Sequence, residues 1–364
     1  MTNSCGNKKM KKVLLHIGSG KTGTSSIQNA LAAQSCSDGV PFHYPIISGN
    51  GNQSLEVVFK PYERLSRGLK TRFERNGGYE KFKDFYTEYL SKHAENNNLL
   101  LSSEFMFNFN LDEIFKLREF FEERQFSCFK IALYLRDPAS YYMSLVQQKL
   151  KASYTIPCPL KFNPKYMKFI SNWIKVFGGD LCTRKFNRKK MLNGNILDDF
   201  SIIVSEFFGK KVLLASDFVN ESISAEGMKV LQEFRKIFFQ NEENRFAKES
   251  TRLLKKIVEI ENTHPGTKPK LKEYYEEIIK MNCISDILAL KSFGVFVDFK
   301  ENTEIDKIED SRKVEEFSGD VVSLLDSFDP EHFKYLLYRI SFDSCSNFGG
   351  RVKRNRGAKK KGRI

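Results

Sequence analysis

The residues at 12–26, KVLLHIGSGKTGTSS, combine an apolar run with a loop that holds three glycines, one lysine and a string of hydroxyls. Backbone N–H groups of a glycine-containing loop can turn together onto an oxyanion, and a following helix adds the positive end of its dipole. Lys21 supplies a full positive charge, and Thr22, Thr24, Ser25 and Ser26 supply hydroxyl groups. The chemistry this suits is the holding of a phosphate or a related anion. The nucleotide loop G-x-x-x-x-G-K-[ST] is the obvious comparison. Gly20-Lys21-Thr22 fits its end, but the position of its first glycine is occupied by Leu15. With no convincing strand ending in a magnesium-binding aspartate, hydrolysis of ATP or GTP is disfavoured.

A second basic group stands in YLRDPASYYMSLVQQ, residues 134–148. Arg136 follows an apolar run, and Ser144 comes eight residues later. A guanidinium at a strand end can direct two N–H groups at one phosphate. Asp137 and Pro138 are residues of the kind that open a helix, which carries Ser144. Glu104, in LLLSSE, closes a third apolar run and is a candidate general base.

Together K-T-G-T-S-S after a strand, and Arg136 with Ser144 after another, resemble the donor-binding motifs of sulfotransferases that use 3′-phosphoadenosine 5′-phosphosulfate. The likeness is to bacterial, carbohydrate-type members. It is specific over 12–150 and loose over 160–235, where NGNILDDF and NESISAEGMKVLQEF carry it. The resemblance implies that Gly20, Lys21, Thr22, Gly23, Thr24, Ser25 and Ser26 hold the 5′-phosphosulfate. It implies that Arg136 and Ser144 hold the 3′-phosphate, and that the sulfuryl group passes in line to a hydroxyl, with a carbohydrate as the expected acceptor. No metal is required. Lys21, Glu104 and His43 are the catalytic candidates. Many relatives carry a histidine shortly after a Tyr-Pro pair. Here Tyr44-Pro45 is followed by GNGNQSLEVV, with Asn52 and Gln53, so the base is a choice between Glu104 and His43. His16, inside the first strand, reads as a packed core histidine. Arg184 and Arg188 are candidates for the basic segment that closes over the 3′-phosphate in relatives.

The elements that must position these groups are legible as alternation. Strands are expected at 12–17, 99–102, 129–135 and 181–186. Helices are expected at 24–34, 81–93, 111–124, 138–149, 172–177 and 225–239. This predicts an α/β fold, a three-layer α/β/α arrangement on a central parallel sheet. The sulfotransferase likeness extends that to a P-loop-like core with a helical C-terminal part. Ligands of such sheets lie beyond the carboxyl ends of the strands, where all three marked segments fall. The expected organisation is an N-terminal extension at 1–11, a core at 12–240, a mostly helical region at 241–350 with a break at HPGTKPK, and a basic flexible tail at 351–364.

Bulk properties narrow the alternatives. The chain has 364 residues, 41% of them hydrophobic, and a formal charge of +14. Eight Lys or Arg and no acid fall between Arg351 and Arg363, which leaves +6 for the rest. A moderately basic body suits an anionic ligand, and nucleic acid is not the expected partner. The seven cysteines are scattered and show no C-x-x-C spacing, which favours a reducing compartment, the cytoplasm. The five histidines form no metal-spaced set. No apolar stretch approaches the length of a membrane span. An ATP-dependent small-molecule kinase, a nucleic-acid binder acting through the tail, and an inactive donor-binding relative remain open.

Overall fold

A computed structural model describes residues 10–35, 39–46, 49–75, 78–95, 97–215, 222–241, 245–296 and 317–355. Most of the expected N-terminal extension and the end of the basic tail, 356–364, lie outside the described residues, while the backbone of 351–355 continues a helix. In chain order the elements are β1 (Lys11–His16), α1 (Thr24–Gln34), α2 (Tyr79–Ala94), β2 (Leu99–Ser102), α3 (Leu111–Glu122), β3 (Phe126–Leu135), α4 (Pro138–Leu150), α5 (Tyr166–Phe177), β4 (Leu181–Lys185), α6 (Ile196–Phe208), α7 (Ala225–Phe238), α8 (Lys248–Glu261), α9 (Glu273–Asn282), α10 (Ile284–Lys291) and α11 (Pro330–Asn355). They divide between two units that interleave along the chain. The first draws on 1–137, 164–220 and 284–299, the second on 138–163, 221–283 and 300–364, as far as these are described.

The first unit is a parallel four-stranded sheet in the order β2-β1-β3-β4. Its inner strands are continuous apolar runs because both faces are covered. Val13, Leu14, Leu15 and all of Leu99–Ser102 are buried. Leu14, Leu100, Ala132 and Tyr134 face α1 and α6, where Ile27, Leu31, Phe200 and Val204 complete a core. Side chains alternate across a strand, so Val13, Leu15, Ile131 and Leu133 turn to the opposite face. There α3 and α5 supply Phe121, Trp173 and Phe177, with Phe121 against Phe126 and Phe177 against Phe129. The fold is therefore α/β, in three layers.

Local chemistry explains most boundaries. A capping box of Asn110 and Glu113 starts α3. Asn195 caps α6, and left-handed Gly209 ends it. Two boundaries differ from expectation by three residues or more. α5 begins at Tyr166 rather than at 172, because Tyr166, Ile170, Trp173 and Phe177 already recur at helical spacing. β3 begins at Phe126, ahead of its apolar run, where an exposed Ser127 and a half-buried Cys128 separate two buried phenylalanines.

The second unit is helical. Ser224 caps α7 by accepting from the Gly227 N–H at 2.9 Å, and donates to Glu261 at 2.5 Å. Arg235 is fully buried and is held by the Ser250 hydroxyl and the Ala152 carbonyl. The buried Glu226 carboxylate accepts from the N–H groups of Thr267 and Asp329. Among the described residues, no helix is long and apolar enough to cross a membrane.

Phe200 joins α6 to the sheet with no exposure. Phe200→Ala is expected to lower the unfolding free energy by about 3–5 kcal/mol, read from the urea midpoint. A loss below about 1 kcal/mol would mean that this core does not support the sheet.

Candidate functional site

Strand order decides where the site forms. The chain leaves β1 toward β2 on one side, and later enters β3 on the other. The gap beyond the carboxyl ends of β1 and β3 is a topological switch point. His16, the last residue of β1, is in register with Ser102 of β2 and Ala132 of β3. The Ile17 N–H still bonds the Ala132 carbonyl, at 3.0 Å, and the loop then departs.

The loop is fastened from below and bent above. Ser19 Oγ donates to the Tyr134 carbonyl at 3.0 Å, and Thr22 Oγ1 donates to the Ser19 carbonyl at 2.6 Å. Lys21 has φ of 68° and Gly23 φ of 77°, both left-handed. For glycine this costs little, but for lysine it is a strain of about 1 kcal/mol or more. Gly23 precedes α1, whose first turn has neither an acidic residue nor a side-chain cap. The Ile27 N–H bonds the Gly23 carbonyl at 3.1 Å. The N–H groups of Thr24, Ser25 and Ser26 precede that bond, at the positive end of the helix.

A polar wall stands behind the loop. His16 Nδ1 and Ser102 Oγ lie 2.7 Å apart, while His16 Nε2 is buried without a hydrogen-bond partner. Burial lowers the imidazole pKa to about 3, so the ring is neutral. Thr24 is 4% exposed and its Oγ1 also lacks a partner. A Cβ built on Gly18 would lie 3.0 Å from His16 Nε2, 3.1 Å from Thr24 Oγ1 and 3.2 Å from Thr22 Oγ1. Three polar atoms thus converge on Gly18, which has no side chain to fill the space. This role of Gly18 escaped the motif reading, although the residue lies within the quoted segment.

Glu104 and Arg136 complete the group. Glu104 opens a short turn immediately after β2. Burial raises its pKa, and the Lys21 ammonium, within electrostatic reach, opposes that rise. Arg136 Nη1 donates to the Lys21 carbonyl at 3.2 Å, and its guanidinium lies 5.6 Å from the centre of the Phe186 ring. The Tyr166 hydroxyl bonds the Arg136 carbonyl at 2.8 Å. Burial lowers the Arg136 pKa, and the charge of Arg188 adds to the effect. Arg188 thus acts on Arg136. Arg184 is otherwise committed: it pairs with Asp199 at 2.9 Å, and Asp199 accepts from the Tyr134 hydroxyl at 2.6 Å.

His43 is not brought to the loop. It bridges to Leu99, at the beginning of β2, three register steps before Ser102 and so about 10 Å away along the strand. Its ring stacks on His93 at 4.3 Å, and burial, then the charge of His93, lowers its pKa. Ser144 lies in the second turn of α4, which belongs to the second unit, whereas Lys21, Glu104 and Arg136 belong to the first.

Amide side chains that motif reading did not assign to the donor surround the His16–Ser102 pair. Asn52 pairs with Ser102 through its N–H at 2.9 Å and its side-chain oxygen at 2.7 Å. Gln28 Nε2 donates to the Ser102 carbonyl, and Gln53 Nε2 donates to Gln28. The signal for Gln28 was its place one helical turn after Thr24. Among the described residues, no group of three or more His, Cys, Asp or Glu could hold a metal ion.

No protein-family model matches the chain, and no solved structure matches it. An uncharacterized protein of Archaeoglobus fulgidus is 32% identical over 106 residues, which is 28% of this chain and 28% of that relative. The chain thus spans little more than a quarter of the curated relative it matches.

The neutral His16 makes stability depend on pH. Its folded pKa of about 3 lies below the unfolded value, so the unfolded chain binds a proton that the folded chain does not. Unfolding free energy should therefore fall as pH drops below about 6.5, by up to about 1.4 kcal/mol per unit. Urea unfolding between about pH 7 and pH 5 is expected to show this slope, and His16→Asn to lessen it by close to one proton. Equal slopes in the two proteins would contradict a buried neutral imidazole.

Proposed function

We propose that the first unit binds 3′-phosphoadenosine 5′-phosphosulfate and transfers its sulfuryl group to a hydroxyl acceptor, a carbohydrate. The observation that carries this reading is the bond from Arg136 to the backbone of Lys21, which joins two cationic residues around one loop at the switch point. The 5′-phosphosulfate rests on the loop N–H groups and the start of α1. The partnerless Thr24 hydroxyl donates to the same anion. The 3′-phosphate falls to Arg136, with Arg188 beside it. A donor anchored at both ends presents sulfur to the acceptor in one orientation.

In the transfer, the acceptor oxygen forms a bond to sulfur while the bond from sulfur to the 5′-phosphate oxygen breaks. Negative charge grows on that oxygen, and Lys21 offsets it. The acceptor proton passes to Glu104, whose burial raises its pKa and so favours taking up a proton, with the Lys21 charge opposing part of that rise. The products are the sulfate ester and adenosine 3′,5′-bisphosphate. Scattered cysteines, four of them free thiols in the structure, suit work in the cytoplasm.

Calorimetry separates this reading from a kinase. Without magnesium, adenosine 3′,5′-bisphosphate is expected to bind more tightly than ADP. Arg136→Ala should weaken it about tenfold to a hundredfold, the value of a charged hydrogen bond. Equal binding of the two nucleotides, or binding only with magnesium, would overturn the assignment. Glu104→Gln is expected to leave bisphosphate affinity unchanged and to lower the transfer rate by about 10²–10⁴. Transfer at the wild-type rate would remove Glu104 as the base.

A further inference from the structure

The chemistry assigned to Lys21, Glu104 and Arg136 leaves His16 without a task. It is a fully buried residue at the end of β1, packed on Phe200 with ring centres 5.1 Å apart. A purely structural position of this kind is better served by leucine, because a buried polar group without a partner destabilises the fold. His16 Nδ1 is matched to Ser102 Oγ at 2.7 Å, but Nε2 has no partner, and neither has Thr24 Oγ1. The two atoms lie 3.0 Å and 3.1 Å from the point a Gly18 Cβ would occupy. Any residue but glycine would press a carbon against both of them.

The available protons give the bonds a direction. The Thr22 hydroxyl donates to the Ser19 carbonyl, so it presents only lone pairs to this space. The Thr24 proton is drawn to an anion on the loop. What the space lacks is a donor. The neutral imidazole carries a single N–H, and Ser102 decides which nitrogen bears it. If the Ser102 hydroxyl donates to Nδ1, the N–H falls on Nε2, where acceptors stand. In the reverse tautomer the Ser102 proton would have no acceptor among the described residues. The Asn52 and Gln28 amides are bonded to the Ser102 backbone and not to its hydroxyl.

We propose that His16 is a positioning residue for the anion loop: its Nε2–H, set by Ser102, donates to Thr24 Oγ1 and so turns the Thr24 proton onto the bound oxyanion. The bond closes as the loop settles on its ligand, since polar contacts of unliganded sites tighten on binding. Each bond in the chain Ser102–His16–Thr24 polarises the next and strengthens the last donor. This role rests on the loop of the proposed donor site holding an oxyanion, whatever nucleotide carries it.

A double-mutant cycle on the affinity for inorganic pyrophosphate tests this. Its two linked anions stand in for the phosphosulfate without a nucleoside. His16→Leu keeps apolar bulk and removes the N–H, and Thr24→Val removes the hydroxyl. Each is expected to weaken binding about tenfold. Together they should lose little beyond the Thr24→Val loss, because His16 acts through Thr24. His16→Gln, whose amide N–H can stand where the Nε2–H stood, should recover most of the His16→Leu loss. The nitrogen-15 spectrum of the bound wild type should show a proton on Nε2 and none on Nδ1, a readout that holds even if His16→Leu does not fold. Losses that multiply, a His16→Leu chain that binds like wild type, or a proton on Nδ1 would overturn the role of His16. Wild type that does not bind pyrophosphate would overturn it together with the anion loop. Failure of adenosine 3′,5′-bisphosphate alone to bind would remove the donor assignment and leave this role standing.

Discussion

The parallel register of β1 with both of its neighbours is the constraint from which the first unit's site follows. It sets His16 between Ser102 and Ala132, and so fixes the level at which the chain must leave the sheet. With β3 on the other side of β1 from β2, the departing loop has an open crevice beside it. Bonds from Ser19 and the Ile17 N–H to β3 hold the base of the loop to that level. The strain at Lys21 is tolerable because these anchors, and the Arg136 bond above them, leave the backbone few alternatives. Packing of Gly23 against Ile196 and Phe186 then sets where α1 begins.

Charge around this crevice is unbalanced in one direction. Lys21, Arg136, Arg188 and the start of α1 are positive, and Glu104 is a carboxylate whose pKa burial raises and the Lys21 charge lowers. Burial of His16 removes a further cation from the wall and leaves a neutral ring with one open nitrogen. A ligand with two anionic groups would relieve the mutual repulsion of Arg136 and Arg188 and complete the partnerless Thr24 hydroxyl. Arg184 lies close by in sequence but is neutralised by Asp199, so it stabilises the sheet edge instead.

Much of this was legible in the residues. Short apolar runs ended by glycine, by Ser-Ser-Glu and by Arg-Asp-Pro identified three of the four strands and their carboxyl ends, because parallel strands buried on both faces have little other composition open to them. The α1 span was readable for the same reason: its apolar residues recur at helical spacing after a glycine. What stayed hidden depends on contacts far apart in the chain. Nothing in FHYP shows that His43 pairs with the wrong end of β2 to reach the loop, since that follows from strand pairing rather than from motif distance. The amides of Asn52 and Gln28 meet Ser102 only after folding. The interleaving of the two units, with Ser144 and Arg136 falling in different ones, leaves no mark in local composition.

The central claim is that the loop from Gly20 to Ser26 is an anion cradle. The most direct test is to follow the backbone amide resonances of a deuterated, nitrogen-15-labelled chain as adenosine 3′,5′-bisphosphate is added. The account expects the largest shifts at Gly20 to Ser26, with the Arg136 side-chain N–H moving at the same ligand concentration. Shifts confined to other parts of the chain, or none at all, would contradict it.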